Sequence, residues 1–383
     1  MAANAFAFYR GAASIMASDL QSTPNTDIRL QICGDAHLAN FGAFASPERR
    51  VVFDVNDFDE TIVGSWEWDI KRLCASVAIL GRHRAFRDRY VDEAVAACAQ
   101  SYRKHMNAFA NLSVLDVWYA RIDEKTLAAA VPGVVAQAQG VHDPSAASQA
   151  LYAKTVDATS GKPRIVDRPP LVFHPDDAAG FVASVRAAFA LYKRTLAYER
   201  RELVRRYTFT DAAYKVVGVG SVGTRCSVML LLAENDDPLF LQLKEARASV
   251  YARYACESPF TNEGERVVSG QRLMQATSDF FLGWTRAKDG HMYYVRQLRD
   301  VKTGVDLDTV TQVELAGYAA LCGWALARAH AKAGGSAAMI AGYLGSGDAF
   351  DRALVGFAHA YADQNDADYR ALLDAIARGR ITA

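Results

Sequence analysis

The spacing of hydrophobic positions changes repeatedly along the chain, and each change predicts an element. MAANAFAFYRGAASIMASDL reads as an amphipathic helix interrupted by Arg10 and Asp19. Residues 28–60 then read as strand, loop and hairpin: IRLQIC, the loop GDAHLANFGAFA, a turn at SPERR and the strand VVFDVNDFDE, with acidic residues gathered at the strand ends. From about 66 to 130 the pattern turns helical, with Leu73, Val77 and Leu80 on one face. Residues 138–176 are rich in Pro, Gly, Ser and Asp and predict an extended connection before a helix over 177–205.

From 207 the texture is β. YTFTDAAYKVVGVGSVGTRCSVMLLLAENDDPLFLQLKEA holds three apolar strands with turns at GSVG and ENDDP. A helix follows at about 262–277, then a hairpin of FFLGWTRA and MYYVRQL around Lys-Asp-Gly, and Ala-rich helices from about 310. The predicted order is a small αβ piece, helices, a mostly antiparallel five-stranded unit carrying one helix, and helices again.

Composition narrows the class of function. With 383 residues, 51% of them hydrophobic, the chain can bury a core without covalent staples. Its 43 basic and 43 acidic side chains leave no basic footprint for nucleic acid or an anionic membrane. No apolar run is long enough to span a membrane and the N-terminal stretch is not a secretory signal, so a cytoplasmic protein is expected. The six cysteines are scattered without CxxC or zinc spacing, which suits reduced thiols.

Two patterns carry chemistry. Gly218-Val-Gly220-Ser221-Val-Gly223 matches GxGxxG, but a dinucleotide-binding turn would need a helix next. The residues that follow, RCSVMLLLA, are β-like, so the glycines are expected in a hairpin of the type that covers ATP phosphates. Lys244 follows in the apolar strand LFLQLKEA, where a lysine needs partners; phosphate oxygens and a helix glutamate, Glu263 or Glu265, would supply them. A tight glycine hairpin with a surface lysine is the plainer alternative.

The second pattern is Gly34-Asp35-Ala-His37-Leu-Ala-Asn40. An acid and an amide in one loop suit phosphoryl transfer, in which a carboxylate orients the acceptor hydroxyl and an amide oxygen holds Mg²⁺. A further acid must complete the metal's oxygen ligands, and Asp54, Asp57 and Asp59 are available one hairpin later. The competing reading makes Asp35 and Asn40 simple turn formers. His37 has no second histidine nearby and is expected to pack within the loop.

GDAHLANF followed by NDFDE resembles the motif of aminoglycoside and choline phosphotransferases, within the protein-kinase-like superfamily. More of the chain resembles the DUF2252 family of uncharacterised bacterial proteins, through FAFYRGAA, CGDAHLANFG, FDVNDFDET, WEWDIKRL, QLKEA, RVVSGQRLMQ, YYVRQLRD and LARAHA. In kinase-like chains the glycine loop and lysine come first; here they follow the aspartate loop, and LCGWALARAHAKAGG, which looks like the helix leading into that loop, lies near the C-terminus. The resemblance therefore implies an α+β, two-lobed, circularly permuted kinase-like fold, with a small antiparallel β-rich lobe and a larger helical lobe. Residues 1–205 and 306–383 would build the helical lobe around a nucleotide-binding insert at 206–305.

By that resemblance Asp35 is the catalytic base and Asn40 a metal ligand. Lys244 binds phosphate with Glu265, or else Glu263, as its helix partner, and Gly218, Gly220, Ser221 and Gly223 cover the nucleotide. The backbone at Gln297 and Leu298 forms the hinge for adenine. Asp57 is the second metal ligand because it precedes Asp69 at the spacing of the aminoglycoside kinases, with Asp54 as its rival at the end of the apolar strand. Asp69 braces the catalytic loop. Cys33 stands where phosphotransferases usually have His, NDFDE replaces DFG, and the chain starts later than the family leads one to expect, leaving room for a preceding segment. The implied cofactors are ATP and Mg²⁺, and the implied activity is phosphotransfer to a small-molecule acceptor. Nucleotidyl (AMP) transfer and a nucleotide-binding pseudokinase with a regulatory role are the alternatives, with a Rossmann oxidoreductase more distant.

Overall fold

The computed structural model describes residues 1–131, 144–159, 161–216, 223–298 and 302–381. It is an α+β protein with a sheet lobe and a helical lobe. The sheet lobe carries six antiparallel strands in the spatial order Gly283–Arg286, Met292–Gln297, Pro238–Glu245, Cys226–Leu232, Thr208–Lys215 and Val172–Phe173. The helix Glu263–Met274 is inserted between the third of these and the Gly283–Gln297 hairpin. Five of the six strands match the expected unit; the sixth is a two-residue edge contributed by the connection upstream.

Helices upstream of 206 pack into the sheet lobe. Val185, Phe189 and Tyr192 of the helix Ala178–Tyr192 and Val204 of Tyr198–Arg205 share one core with Phe209, Leu231 and Leu241 of the sheet. The sheet lobe thus begins well before 206. The single helix expected over 177–205 is broken by a 3-10 turn at Lys193–Thr195, and the extended connection before it contains the helix Pro144–Thr155.

The helical lobe is built from both ends of the chain around one large core. Its axis is the helix Trp66–His83, flanked by Asp88–Phe109 and Gln312–Gly334. The last of these begins with a Thr311/Glu314 capping box and stops at Gly335 with φ of 62°, a conformation that favours glycine. Gly323 lets it approach Asp88–Phe109 closely: a Cβ there would lie 2.3 Å from Cys98 O. The N-terminal helices Ala5–Gly11 and Ala13–Leu20 meet at Ala12, rather than breaking at Arg10 or Asp19. They pack on the Trp66–His83 helix, and Tyr9, Met16 and Leu20 are buried.

Two small pieces of sheet carry the aspartate loops. Arg29–Ile32 pairs with Ile62–Ser65, and Phe41–Ala45 pairs with Val51–Val55, so residues 33–40 and 56–61 emerge side by side. No helix among the described residues is long and apolar enough to cross a membrane. The six cysteines are unpaired, five of them buried.

Candidate active site

Asp69 fixes the first loop. Its carboxylate, in the first turn of the Trp66–His83 helix, accepts the N–H groups of Cys33 at 2.8 Å and Gly34 at 2.9 Å. It also meets the Cys33 thiol at 3.1 Å and His330 Nε2 at 3.1 Å, and Tyr102 Oη lies 2.8 Å from His330 Nδ1. Burial and the neighbouring Asp69 push the Cys33 thiol well above its ordinary range, so it stays protonated. His330 reaches Asp69 from the far end of the chain. Gly34, at φ of +83°, lies so close to the second loop that a Cβ would be 2.4 Å from Glu60 O.

The loop presents Asp35. Arg72, three residues beyond Asp69 and completely buried, donates Nε to Asp35 Oδ1 at 2.5 Å. Burial opposes the charge on Arg72, but Asp35, Tyr9 and Tyr251 together outweigh it and hold the guanidinium's pKa above the ordinary value. The N-terminal helices secure the arginine. Its guanidinium stacks 4.5 Å from the Tyr9 ring centroid and donates to Tyr9 O at 3.2 Å, while Tyr9 Oη donates to Arg72 O at 2.7 Å. Neither Arg72 nor Tyr9 stands out as a site residue by sequence pattern, although both lie in the stretches WEWDIKRL and FAFYRGAA that carry the family resemblance.

Asn40 donates Nδ2 to Asp35 O at 2.9 Å and approaches Asp35 Oδ2 at 3.4 Å. Because its nitrogen is committed there, its amide oxygen is the atom left for a cation. His37 packs inside the loop as expected, with Nε2 3.6 Å from Asp35. Burial pushes its pKa down to about 4, so the ring is neutral near pH 7.

The second loop separates the rival acids. Asp54 is fully buried: it accepts two bonds from Arg328 Nη2, at 2.8 and 2.9 Å, and the N–H groups of Ala276 and Val55, at 2.8 and 2.9 Å. A carboxylate sealed in this way cannot ligate a metal, and the candidacy of Asp54 is corrected accordingly. The Asp57 side chain is 35% exposed and lies 4.0 Å from Lys244 Nζ.

Lys244 sits in a buried position of its strand, paired across the sheet with Cys226 and Tyr294. Its ammonium donates to Asp59, whose other oxygen accepts Tyr294 Oη at 2.8 Å. Burial opposes the ammonium charge, but Asp57, Tyr294 and Asp59 together outweigh it, and Lys244 is held well above its ordinary value. No helix glutamate does this work. Glu263 bonds Arg266 at 2.5 Å and Glu265 is not a partner of Lys244, so the expected Lys244–Glu265 pair is replaced by Lys244–Asp59. Arg266 ties the helix down by donating to Thr61 O, Asp59 O and Arg247 O at 2.5, 2.9 and 2.7 Å.

The backbone expected to meet adenine has its amides engaged within the sheet lobe. The Gln297 N–H is taken by Asp279 Oδ2 at 2.5 Å and the Leu298 N–H by Phe240 O at 2.9 Å, which leaves neither amide to donate to a base. Gly218, Gly220 and Ser221 lie outside the described residues. Gly223 is described, at φ of +83°, and its carbonyl accepts Arg247 Nη2 at 2.5 Å. A cavity of about 770 Å³ lies elsewhere, lined by Arg49, Tyr207, Asp237, Asp279 and Phe281; it includes Gln297 but none of Asp35, Asn40, Asp57 or Lys244.

Among the described residues no group of three or more His, Cys, Asp or Glu stands ready to hold a metal. The donor chemistry nevertheless fits Mg²⁺, which usually takes one or two protein oxygens and fills its shell with water and substrate phosphates. The partly exposed Asp57 carboxylate and the Asn40 amide oxygen are donors of that kind.

Comparison with curated proteins and with solved structures finds no match. The family described as "Uncharacterized protein conserved in bacteria (DUF2252)" matches residues 1–375, nearly the whole length, and the chain belongs to that family.

Proposed function

We propose that the protein is an ATP- and Mg²⁺-dependent phosphotransferase of kinase-like architecture acting on a small-molecule hydroxyl or amine. One observation carries the reading: an Asp/Asn loop braced by Asp69 lies against a second loop whose Asp57 comes within 4.0 Å of a buried lysine from the opposite lobe. Phosphoryl transfer needs this set: a lysine for phosphate oxygens, an acid and an amide as hard donors, and a further acid for the acceptor.

The topology supports a permuted kinase-like order. A helix follows the lysine strand and precedes the next hairpin. The end of the Gln312–Gly334 helix abuts the strand that leads into the Asp35 loop, since a Cβ on Gly334 would lie 2.6 Å from Leu30 Cβ. The last helix lies against the first residues, with Tyr369 Oη donating to Ala2 O at 2.9 Å and Asn365 Nδ2 to Ala5 O at 3.2 Å. Joining the ends would restore lysine lobe, leading helix and aspartate loop in sequence, which surface termini make physically reasonable.

In this reading Asp35 orients the acceptor and takes its proton, and the bond from Arg72 fixes the carboxylate's direction. Lys244 steadies the phosphates. Asn40 and Asp57 would hold Mg²⁺, which when bound neutralises charge on the transferring group. The test is thermal: Mg·ATP is expected to raise the melting temperature of the wild-type protein and not that of Lys244→Met. No shift in the wild type would overturn the reading, and a product heavier by AMP instead of phosphate would convert it to nucleotidyl transfer.

A further inference from the structure

The pairing of Lys244 with Asp59 departs from the kinase-like pattern that the sequence resembles, in which the lysine's partner comes from a helix. Three features make it a built arrangement. Lys244 is 5% exposed, so its ammonium needs a fixed partner. Tyr294, its cross-strand neighbour, donates Oη to Asp59 Oδ1 at 2.8 Å, so one carboxylate oxygen faces the lysine and the other is held by the tyrosine. The Asp59 backbone is clamped by Arg266 at 2.9 Å, and the same guanidinium holds Thr61 O and Arg247 O. Asp59 thus joins the loop of the helical lobe to the strand and helix of the sheet lobe.

We infer that Asp59 is the positioning residue for Lys244, setting the ammonium for the nucleotide phosphates in place of a helix glutamate. The consequence for the two lobes is direct. In an arrangement anchored by a helix acid, a swing of that helix breaks the lysine pair; here the pair stays with the Asp57–Thr61 loop, and the Glu263–Met274 helix is stapled to the same loop by Arg266. The lysine site is therefore assembled whenever the lobes are in contact.

The inference rests on the phosphotransfer reading for its catalytic consequence, and the experiment separates the two. Wild type, Asp59→Asn, Asp59→Glu and Asp57→Asn are compared in the full chain. Without nucleotide, acetylation of Lys244 by an N-hydroxysuccinimide ester, mapped by peptide mass spectrometry, is expected to be about tenfold faster in Asp59→Asn, the worth of one charge-assisted hydrogen bond, and less affected in Asp57→Asn. With Mg·ATP, Asp59→Asn is expected to lower kcat about 10- to 100-fold, with KM for Mg·ATP within about threefold and partial recovery in Asp59→Glu. Unchanged acetylation and unchanged kcat would overturn the inference. So would a lower KM with unchanged kcat, which would make Asp59 an occupant of the phosphate site, or a raised Mg²⁺ requirement, which would make it a metal ligand. A wild-type protein that binds no Mg·ATP would instead sink the phosphotransfer reading, whatever the acetylation shows.

Discussion

Asp54 and Asp57 stand three residues apart at the end of one strand, yet the fold treats them in opposite ways. Asp54 is sealed with Arg328, both essentially without exposure, and its oxygens accept four hydrogen bonds from three donor nitrogens. Asp57 is 35% exposed and faces a lysine from the other lobe. The first arrangement spends its charge on joining helix, strand and the turn after the Glu263–Met274 helix. The second keeps charge at a surface that another molecule can reach. Two acids that look equivalent in VVFDVNDFDE are separated only by what folds over them.

The comparison breaks most visibly at the sealed pair. Arg328→Ala would leave Asp54 buried without its cation and is expected to cost about 3–5 kcal/mol in urea unfolding, the usual penalty for orphaning one partner of a buried pair. Asp57→Asn is expected to stay within about 1 kcal/mol of wild type in the same assay, because partly exposed ion pairs contribute little, while removing Mg·ATP-dependent activity. A change of several kcal/mol in Asp57→Asn would mean that the two acids serve the same structural role.

A pH titration sharpens the same contrast. His37 has its pKa pushed from 6.5 down to about 4 by burial, so the unfolded chain takes up a proton over that range and the folded chain does not. Stability is therefore lost as pH falls from about 6.5 towards 4, by about 3 kcal/mol in full. Glu60 behaves with the opposite sign. Burial pushes it from 4.5 up to about 7, with Asp59 and Asp35 adding to the effect against the Val250 N–H bond. The folded state then holds the extra proton, and stability is lost as pH rises from about 4.5 to 7. The two slopes oppose one another between about 4.5 and 6.5. His37→Asn is expected to flatten the acid side of the stability profile, and Glu60→Gln to remove the decline towards neutral pH. If neither variant changes the profile measured by denaturation at a series of pH values, these two groups are not the ones that titrate.

Much of this was legible in local patterns. Asp35 and Asn40 sit in one loop, the apolar strand around Lys244 is buried, and the alternation of β and helical spacing found the sheet and its inserted helix. What escaped were partners distant in sequence. Arg328 meets Asp54 across 274 positions and His330 meets Asp69 across 261, and no local period encodes either. Asp59 counts in the sequence as one of three acids for a metal, and its pairing with Lys244 spans 185 positions. The Pro144–Thr155 helix was missed for a different reason: PSAASQALYAKT is nearly uniform in polarity around the helix and has no apolar stripe to betray it. The partners of the Gln297 and Leu298 N–H groups, Asp279 and Phe240, are likewise distant in sequence.

The most direct test of the central claim follows ADP release from Mg·ATP, with water and a panel of small hydroxyl and amine compounds as acceptors, for wild type and Asp35→Ala. The account predicts turnover by the wild type and a loss of about 10²–10⁴-fold in the variant, the usual contribution of a positioned base, with the Mg·ATP-induced rise in melting temperature retained. Equal rates in the two proteins, or no ADP from the wild type with any acceptor, would contradict it.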